Sequence, residues 1–205
     1  MAGRRIGILG GAFDPPHIGH LVVAQEAWWR FHLDEVLLVP TGVPTDKKAP
    51  AFPAADRLAM VEAAVEDHPG LSASDVEVRR DGPSYTVDTL RAIAARNPGA
   101  ELWFMMGADR LPTLPRWRDP GEILRLARLA VMPRDAHGPD WIASVARDVA
   151  PGRVDVLETP VVQVSSTMIR ERLAEGGPVR YLVTPAVEAL LRRRNGDAPA
   201  DAGRP

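Results

Sequence analysis

Cysteine is absent from the 205 residues, which excludes disulfides and thiolate metal sites. No apolar run approaches the roughly 20 residues that span a bilayer. Residues 1–5 are not followed by the apolar stretch of a secretory signal, so the expected compartment is the cytoplasm. Charge of one sign is also scarce: 25 Lys and Arg against 27 Asp and Glu leave a net charge of −2, which gives no general attraction to nucleic acid. The basic cluster Arg192, Arg193 and Arg194 reads as the last turn of a helix, with Asn195 and Gly196 as its stop. No internal repeat is found. With 45% hydrophobic content, the chain can bury one good-sized core. One soluble domain over residues 1–195 is expected, followed by a tail, 196–205, of disordered composition.

The densest local signal runs from Gly10 through Gly11, Ala12, Phe13, Asp14, Pro15, Pro16, His17, Ile18 and Gly19 to His20. Ile6, Ile8 and Leu9 before it read as a short buried strand, and Leu21, Val22, Ala24 and Trp28 after it as the apolar side of a helix starting near Ile18. Both histidines therefore stand where a strand gives way to a helix N-terminus. Main-chain N–H groups are unpaired there and the dipole is positive, so anionic oxygens are favoured before any side chain is counted. His17 and His20 are spaced to share a helix face, and Gly19 between them leaves the backbone open to close approach. The glycines at 7, 10, 11 and 19 do not fit G-x-G-x-x-G, which disfavours hydride transfer. With no carboxylate at a completing spacing, the histidine pair does not make a zinc site. A purely structural Asp-Pro-Pro turn with helix-capping histidines is the competing reading.

Strand-like and helix-like segments alternate. Residues 36–39 read as a strand, 54–67 as a helix, 71–78 as a strand, 85–96 as a helix and 101–106 as a strand. Residues 129–132 and 154–157 are further strands with a helix around 141–147 between them, and Pro185 opens a terminal helix. This is the pattern of an α/β fold: a Rossmann-like, doubly wound parallel sheet with helices on both faces. Ligands in such sheets sit at the carboxyl ends of strands, so the loops after Leu9, Val39, Met106 and Leu157 are candidates to form one site. The proline-rich stretches 40–53 and 133–139 read as loops.

The G-G-x-F-D-P-x-H-x-G-H string resembles the nucleotidylyltransferase superfamily, and a second signature, Ser165-Ser166-Thr167-Met168-Ile169-Arg170, is similar to that superfamily's S-S-T-x-I-R. Two motifs about a domain apart are far harder to obtain by chance than either alone. Read on their own, Ser166 or Thr167 can cap a helix, and Arg170 can reach from its first turn to a phosphate. The stretch from Gly82 through Ser84, Tyr85 and Thr86 to Leu90, then Met106-Gly107-Ala108-Asp109 and Arg116-Trp117-Arg118, resembles the bacterial nicotinate-nucleotide adenylyltransferases. With 39–41, Lys47, Lys48, Arg57 and 180–183, the likeness covers nearly all of residues 4–194.

That resemblance implies adenylyl transfer from ATP to nicotinate mononucleotide, giving deamido-NAD and pyrophosphate in NAD biosynthesis, with Mg2+ bound through the ATP phosphates. By the same resemblance His17, His20 and Arg170 are catalytic. Gly10, Gly11, Phe13, Gly19, Gly107, Asp109, Ser166 and Thr167 border ATP and its phosphates, joined by Lys47 or Lys48. Thr86 and Trp117 lie at the pyridine ring. Each has a structural alternative: Asp109 a helix cap, Thr86 the N-cap of its helix, Trp117 a core anchor, the lysines a solvated pair. Ala12 departs from the family, which often has a hydroxyl residue there. The expected partners are ATP and nicotinate mononucleotide, without nucleic acid or membrane; homo-oligomerisation is left open. Because the attacking phosphate is already an anion, the chemistry asks for placement and positive donors, not for a nucleophilic side chain or general base.

Overall fold

The computed structural model describes residues 3–45, 49–134 and 137–195; Lys47, Lys48 and the tail beyond Asn195 lie outside the described residues. The chain runs β1 (Arg5–Gly11), α1 (Ile18–Arg30), β2 (Glu35–Pro40), α2 (Ala54–Val65), β3 (Leu71–Ala73), α3 (Thr86–Arg96) and β4 (Glu101–Gly107). A 3₁₀ helix (Ala108–Arg116) follows, then α4 (Pro120–Leu126), β5 (Ala127–Met132), α5 (Pro139–Val149), β6 (Val154–Val156), α6 (Ser166–Ala174) and α7 (Pro185–Asn195). The six strands pair in the order β3-β2-β1-β4-β5-β6, every pair parallel.

Successive residues of a strand point to opposite faces, and β4 shows what this does. Leu102, Phe104 and Met106 join Ile6, Ile8, Leu129 and Val131 in one buried cluster beneath α3, α4 and α5. Trp103 and Met105 join Leu9, Leu38 and Ala130 in another, covered by Ala24 and Ala27 of α1 and Val61 and Val65 of α2. Both faces are dry, which is why these strands read as nearly continuous apolar runs. A third cluster seats Ile169 of α6 and Val187 and Leu191 of α7 against Met60 of α2. It carries the second signature motif back over the first.

The strand expected at 71–78 ends at Ala73. From there the backbone turns, with Arg79 N–H bonded to the Asp75 carbonyl at 2.9 Å and an ion pair between the same two side chains. Val76 is buried in the first cluster, so the apolar alternation that imitates a strand belongs to a turn tucked under the sheet's end. A Cβ on Gly42 would lie 2.3 Å from the Glu77 carbonyl oxygen; the turn packs directly on the backbone of the loop after β2.

Connections from β1 lead to one side of the sheet and those from β4 to the other. The chain ends of these adjacent strands therefore diverge and leave a crevice. Thr41 N–H, just past β2, bonds the Gly11 carbonyl at 2.8 Å, which ties the loops that follow β1 and β2.

Candidate active site

A cavity of about 1370 Å³ occupies that crevice. Its walls bring together Gly10, Gly11, Phe13 and His20 from the first motif and Ser166, Thr167 and Arg170 from the second. Thr86, Gly107, Asp109 and Trp117 line its other side. Neither His17 nor Gly19 lines it. His17 is only 8% exposed, and a Cβ on Gly19 would meet the His17 ring at 3.1 Å. The absence of a side chain at Gly19 thus makes room for the His17 ring.

His17 is the N-cap of α1, and its N–H donates to His20 Nδ1 at 3.2 Å. With Nδ1 accepting, a neutral His20 ring carries its proton on Nε2. The His20 ring lies 3.8 Å from that of His17 and 4.8 Å from that of Phe13. Burial lowers His17 from 6.5 to about 4; burial, then the charge of His17, lowers His20 to about 3. Near neutral pH both are uncharged in the free protein. His20 thus offers a neutral N–H donor, and the positive charge at the site rests with Arg170.

This has a stability consequence. The unfolded chain protonates its histidines near 6.5 and the folded one only near 4 and 3, so folding is favoured most above 6.5. Stability falls as pH drops from there toward 4, by about 1.4 kcal/mol for each pH unit across which one imidazole is charged only in the unfolded chain. Thermal melts between pH 7 and pH 4 are expected to show this slope, and a His17→Asn/His20→Asn double variant to flatten it. Equal slopes in the two proteins would place the acid sensitivity elsewhere.

The cap of α6 is Ser165, whose side chain accepts from Met168 N–H at 3.2 Å, and not Ser166 or Thr167. That frees Ser166 Oγ to donate to the Pro15 carbonyl at 2.8 Å. Arg170 Nη1 donates to the Asp14 carbonyl at 2.6 Å, and its Nη2 to Thr167 Oγ1 at 3.1 Å. Thr86 is the first residue of α3, with Tyr85 as the N-cap. The opening N–H groups of that helix have no partner within it and suit an anionic oxygen. Asp109 Oδ1 lies 3.8 Å from Arg134 Nη1, and a Cβ on Gly107 would stand 2.5 Å from the same Oδ1, so Gly107 is what lets that carboxylate fold back over the strand end. Trp117 Nε1 donates to Thr113 Oγ1 at 2.9 Å. Its ring stands edge-on to Phe104 at 6.1 Å and is partly buried against the first core cluster. It is therefore both a pocket wall and a packing residue.

Glu77 and Arg134 also line the cavity, although no sequence signal marked them. Glu77 is 7% exposed, and its Oε1 accepts from Thr89 Oγ1 at 2.6 Å. Arg57, 1% exposed, lies behind the wall and donates to the carbonyls of Phe52 (3.1 Å), Ala12 (2.7 Å) and Thr41 (2.6 Å). Burial lowers its pKa and the charges of Asp14 and Glu77 oppose that shift.

A six-stranded parallel sheet whose switch-point crevice gathers an H-x-G-H turn and an S-S-T-x-I-R helix defines a nucleotidylyltransferase. Residues 8–172 match the cytidylyltransferase-like family model. A protein of a Synechococcus species described as a probable nicotinate-nucleotide adenylyltransferase is 45% identical over 93% of each chain, and one of Streptomyces coelicolor with the same description is 42% identical over 91% of this chain and 97% of its own. The Plasmodium falciparum nicotinic acid mononucleotide adenylyltransferase complexed with NaAD has the same fold, with a TM-score of 0.76 at 18% identity over 94% and 96% of the two chains. The chain belongs to the nicotinate-nucleotide adenylyltransferase family. Among the described residues no helix is long and apolar enough to cross a membrane.

Proposed function

We propose that this chain transfers the adenylyl group of ATP to nicotinate mononucleotide, releasing pyrophosphate and forming nicotinate adenine dinucleotide. The observation that carries the reading is that one cavity is walled by both signature motifs and by the Thr86 and Trp117 loops. The mononucleotide phosphate attacks the α-phosphorus in line, a P–O bond forms, and the bond to pyrophosphate breaks; no side chain need accept a proton. His20 Nε2–H and Arg170 stabilise the charge gathering on the non-bridging and leaving oxygens, with the dipole of α1 adding to them. His17 acts from behind, its main-chain N–H holding the His20 ring. Thr86 and the first N–H groups of α3 face the nicotinate carboxylate, and Asp109 the ribose hydroxyls of ATP. The loop carrying Lys47 and Lys48 supplies a further cation to the phosphates.

Among the described residues no group of three or more His, Asp or Glu could hold a metal, and the Asp14 carboxylate is engaged by two main-chain N–H groups. Magnesium would enter with the ATP phosphates and neutralise part of their charge.

The deciding assay measures pyrophosphate released from ATP with nicotinate mononucleotide, nicotinamide mononucleotide or phosphopantetheine as acceptor. The acid mononucleotide is expected to be the best substrate; preference for phosphopantetheine, or no release with any acceptor, overturns the reading. Trp117→Ala tests the acceptor end. Loss of ring stacking is expected to raise the KM for nicotinate mononucleotide about 2- to 10-fold with that for ATP nearly unchanged. The melting temperature also falls, because Phe104 loses its edge-on partner. Parallel weakening of both substrates would remove Trp117 from the pyridine site.

A further inference from the structure

Asp14 is 5% exposed and takes no part in the chemistry described above, yet two distant segments converge on it. Its Oδ2 accepts from Ala51 N–H and its Oδ1 from Phe52 N–H, each at 2.8 Å. Its main-chain carbonyl accepts from Arg170 Nη1 at 2.6 Å, and its Oδ2 lies 3.3 Å from the same nitrogen. One residue of the β1–α1 turn thus holds the guanidinium of α6 and the main chain just before α2, which is the end of the loop that carries Lys47 and Lys48.

The carboxylate geometry suits coupling more than simple pairing. Both oxygens are occupied by main-chain donors, so the carboxylate cannot swing to follow Arg170. The guanidinium, with Nη2 already on Thr167, is fixed relative to the turn that bears His17 and His20. A long flexible cation aimed at a transition state is effective only where its placement is held within a fraction of an ångström. Arg170 reaches that precision through the main-chain carbonyl of Asp14, 156 residues earlier in the chain, and through the carboxylate that lies 3.3 Å from the same nitrogen.

We propose that Asp14 is a positioning residue for adenylyl transfer: it locks Arg170 and residues 51–52 into one unit aimed at the reacting phosphates. This rests on the reading above that Arg170 serves those phosphates.

A double-mutant cycle with ATP and nicotinate mononucleotide tests it. Asp14→Asn keeps one acceptor oxygen and removes the charge, and is expected to lower kcat about 10-fold or more with smaller changes in KM. In an Arg170→Ala background the same change is expected to cost little, because the group it positions is gone. Added guanidinium ion is expected to restore activity to Arg170→Ala when Asp14 is present and less when it is Asn. Effects that simply multiply, or equal rescue in both backgrounds, overturn the proposal. If Asp14→Asn does not fold, amide exchange in Arg170→Ala decides: coupling requires faster exchange at Ala51 and Phe52 than in the wild type, and unchanged exchange overturns it. Wild-type protein inactive with nicotinate mononucleotide would sink the functional reading alone, since the exchange measurement does not depend on substrate.

Discussion

Replacing His20 with alanine is expected to lower kcat by about 100-fold or more, while KM for ATP changes little. His20 Nδ1 is held by the His17 N–H at 3.2 Å, and Phe13 and His17 pack on the ring, so Nε2–H is presented to the cavity with little freedom to reorganise. A donor fixed in advance is worth most where charge develops, on the non-bridging oxygens of the transferring phosphoryl group, and less toward ground-state ATP, whose charge is spread over three phosphates. His17→Ala supplies the contrast. It removes a ring that does not line the cavity but leaves the main-chain N–H that anchors His20, so its effect on kcat is expected to be clearly smaller than that of His20→Ala. Steady-state kinetics of the two variants, with melting curves to confirm folding, check this. Equal losses would mean the rings act as one packed unit; normal turnover in a folded His20→Ala would remove the residue from the mechanism.

The parts of this site that are local in sequence are the parts that could be read from it. The β1–α1 turn is announced by an apolar strand, a Gly-Gly pair and prolines in succession, and each is a statement about its own few residues. The conjunction of two motifs was legible as well, because each has its own local form, and the structure joins them directly through Ser166 and Pro15, 151 residues apart. Roles set by distant partners were not legible. At Gly19 the neighbour that no local pattern reports is the His17 ring, which the cap geometry of α1 places there. Glu77 looked like part of the strand expected over 71–78 because Val76 and its neighbours alternate; only the packing of the turn against Gly42 and Thr89 gives it a place in the wall. Ser165 caps α6 while Ser166 is bonded to a carbonyl from the other end of the sequence. The charge state of the histidines follows from burial, which depends on elements no local pattern reports.

Arg57 is the clearest case of a residue whose importance is long-range, and Arg57→Met is expected to have the largest effect on stability, about 3–5 kcal/mol. The side chain is 1% exposed and its guanidinium donates to the carbonyls of Ala12, Thr41 and Phe52. These belong to the turn after β1, the loop after β2 and the segment leading into α2. Methionine can fill much of the volume but offers no donor, so three carbonyls lose a charge-assisted bond worth about 1.5–3 kcal/mol each, non-additively. Asp14 and Glu77 also lose the cation that opposes their charge. Arg57→Lys separates the two contributions. It keeps the charge but cannot fork toward three acceptors, and is expected to fall between wild type and Arg57→Met in chemical denaturation. Activity should follow stability in a particular way: the loops that Arg57 ties are those that carry Phe13, Asp14 and Thr41, so in the Lys variant turnover falls even at temperatures where the protein remains folded. An Arg57→Met protein as stable as the wild type would mean that water replaces the guanidinium at all three carbonyls, and that the loops are held by Thr41 and Asp14 alone.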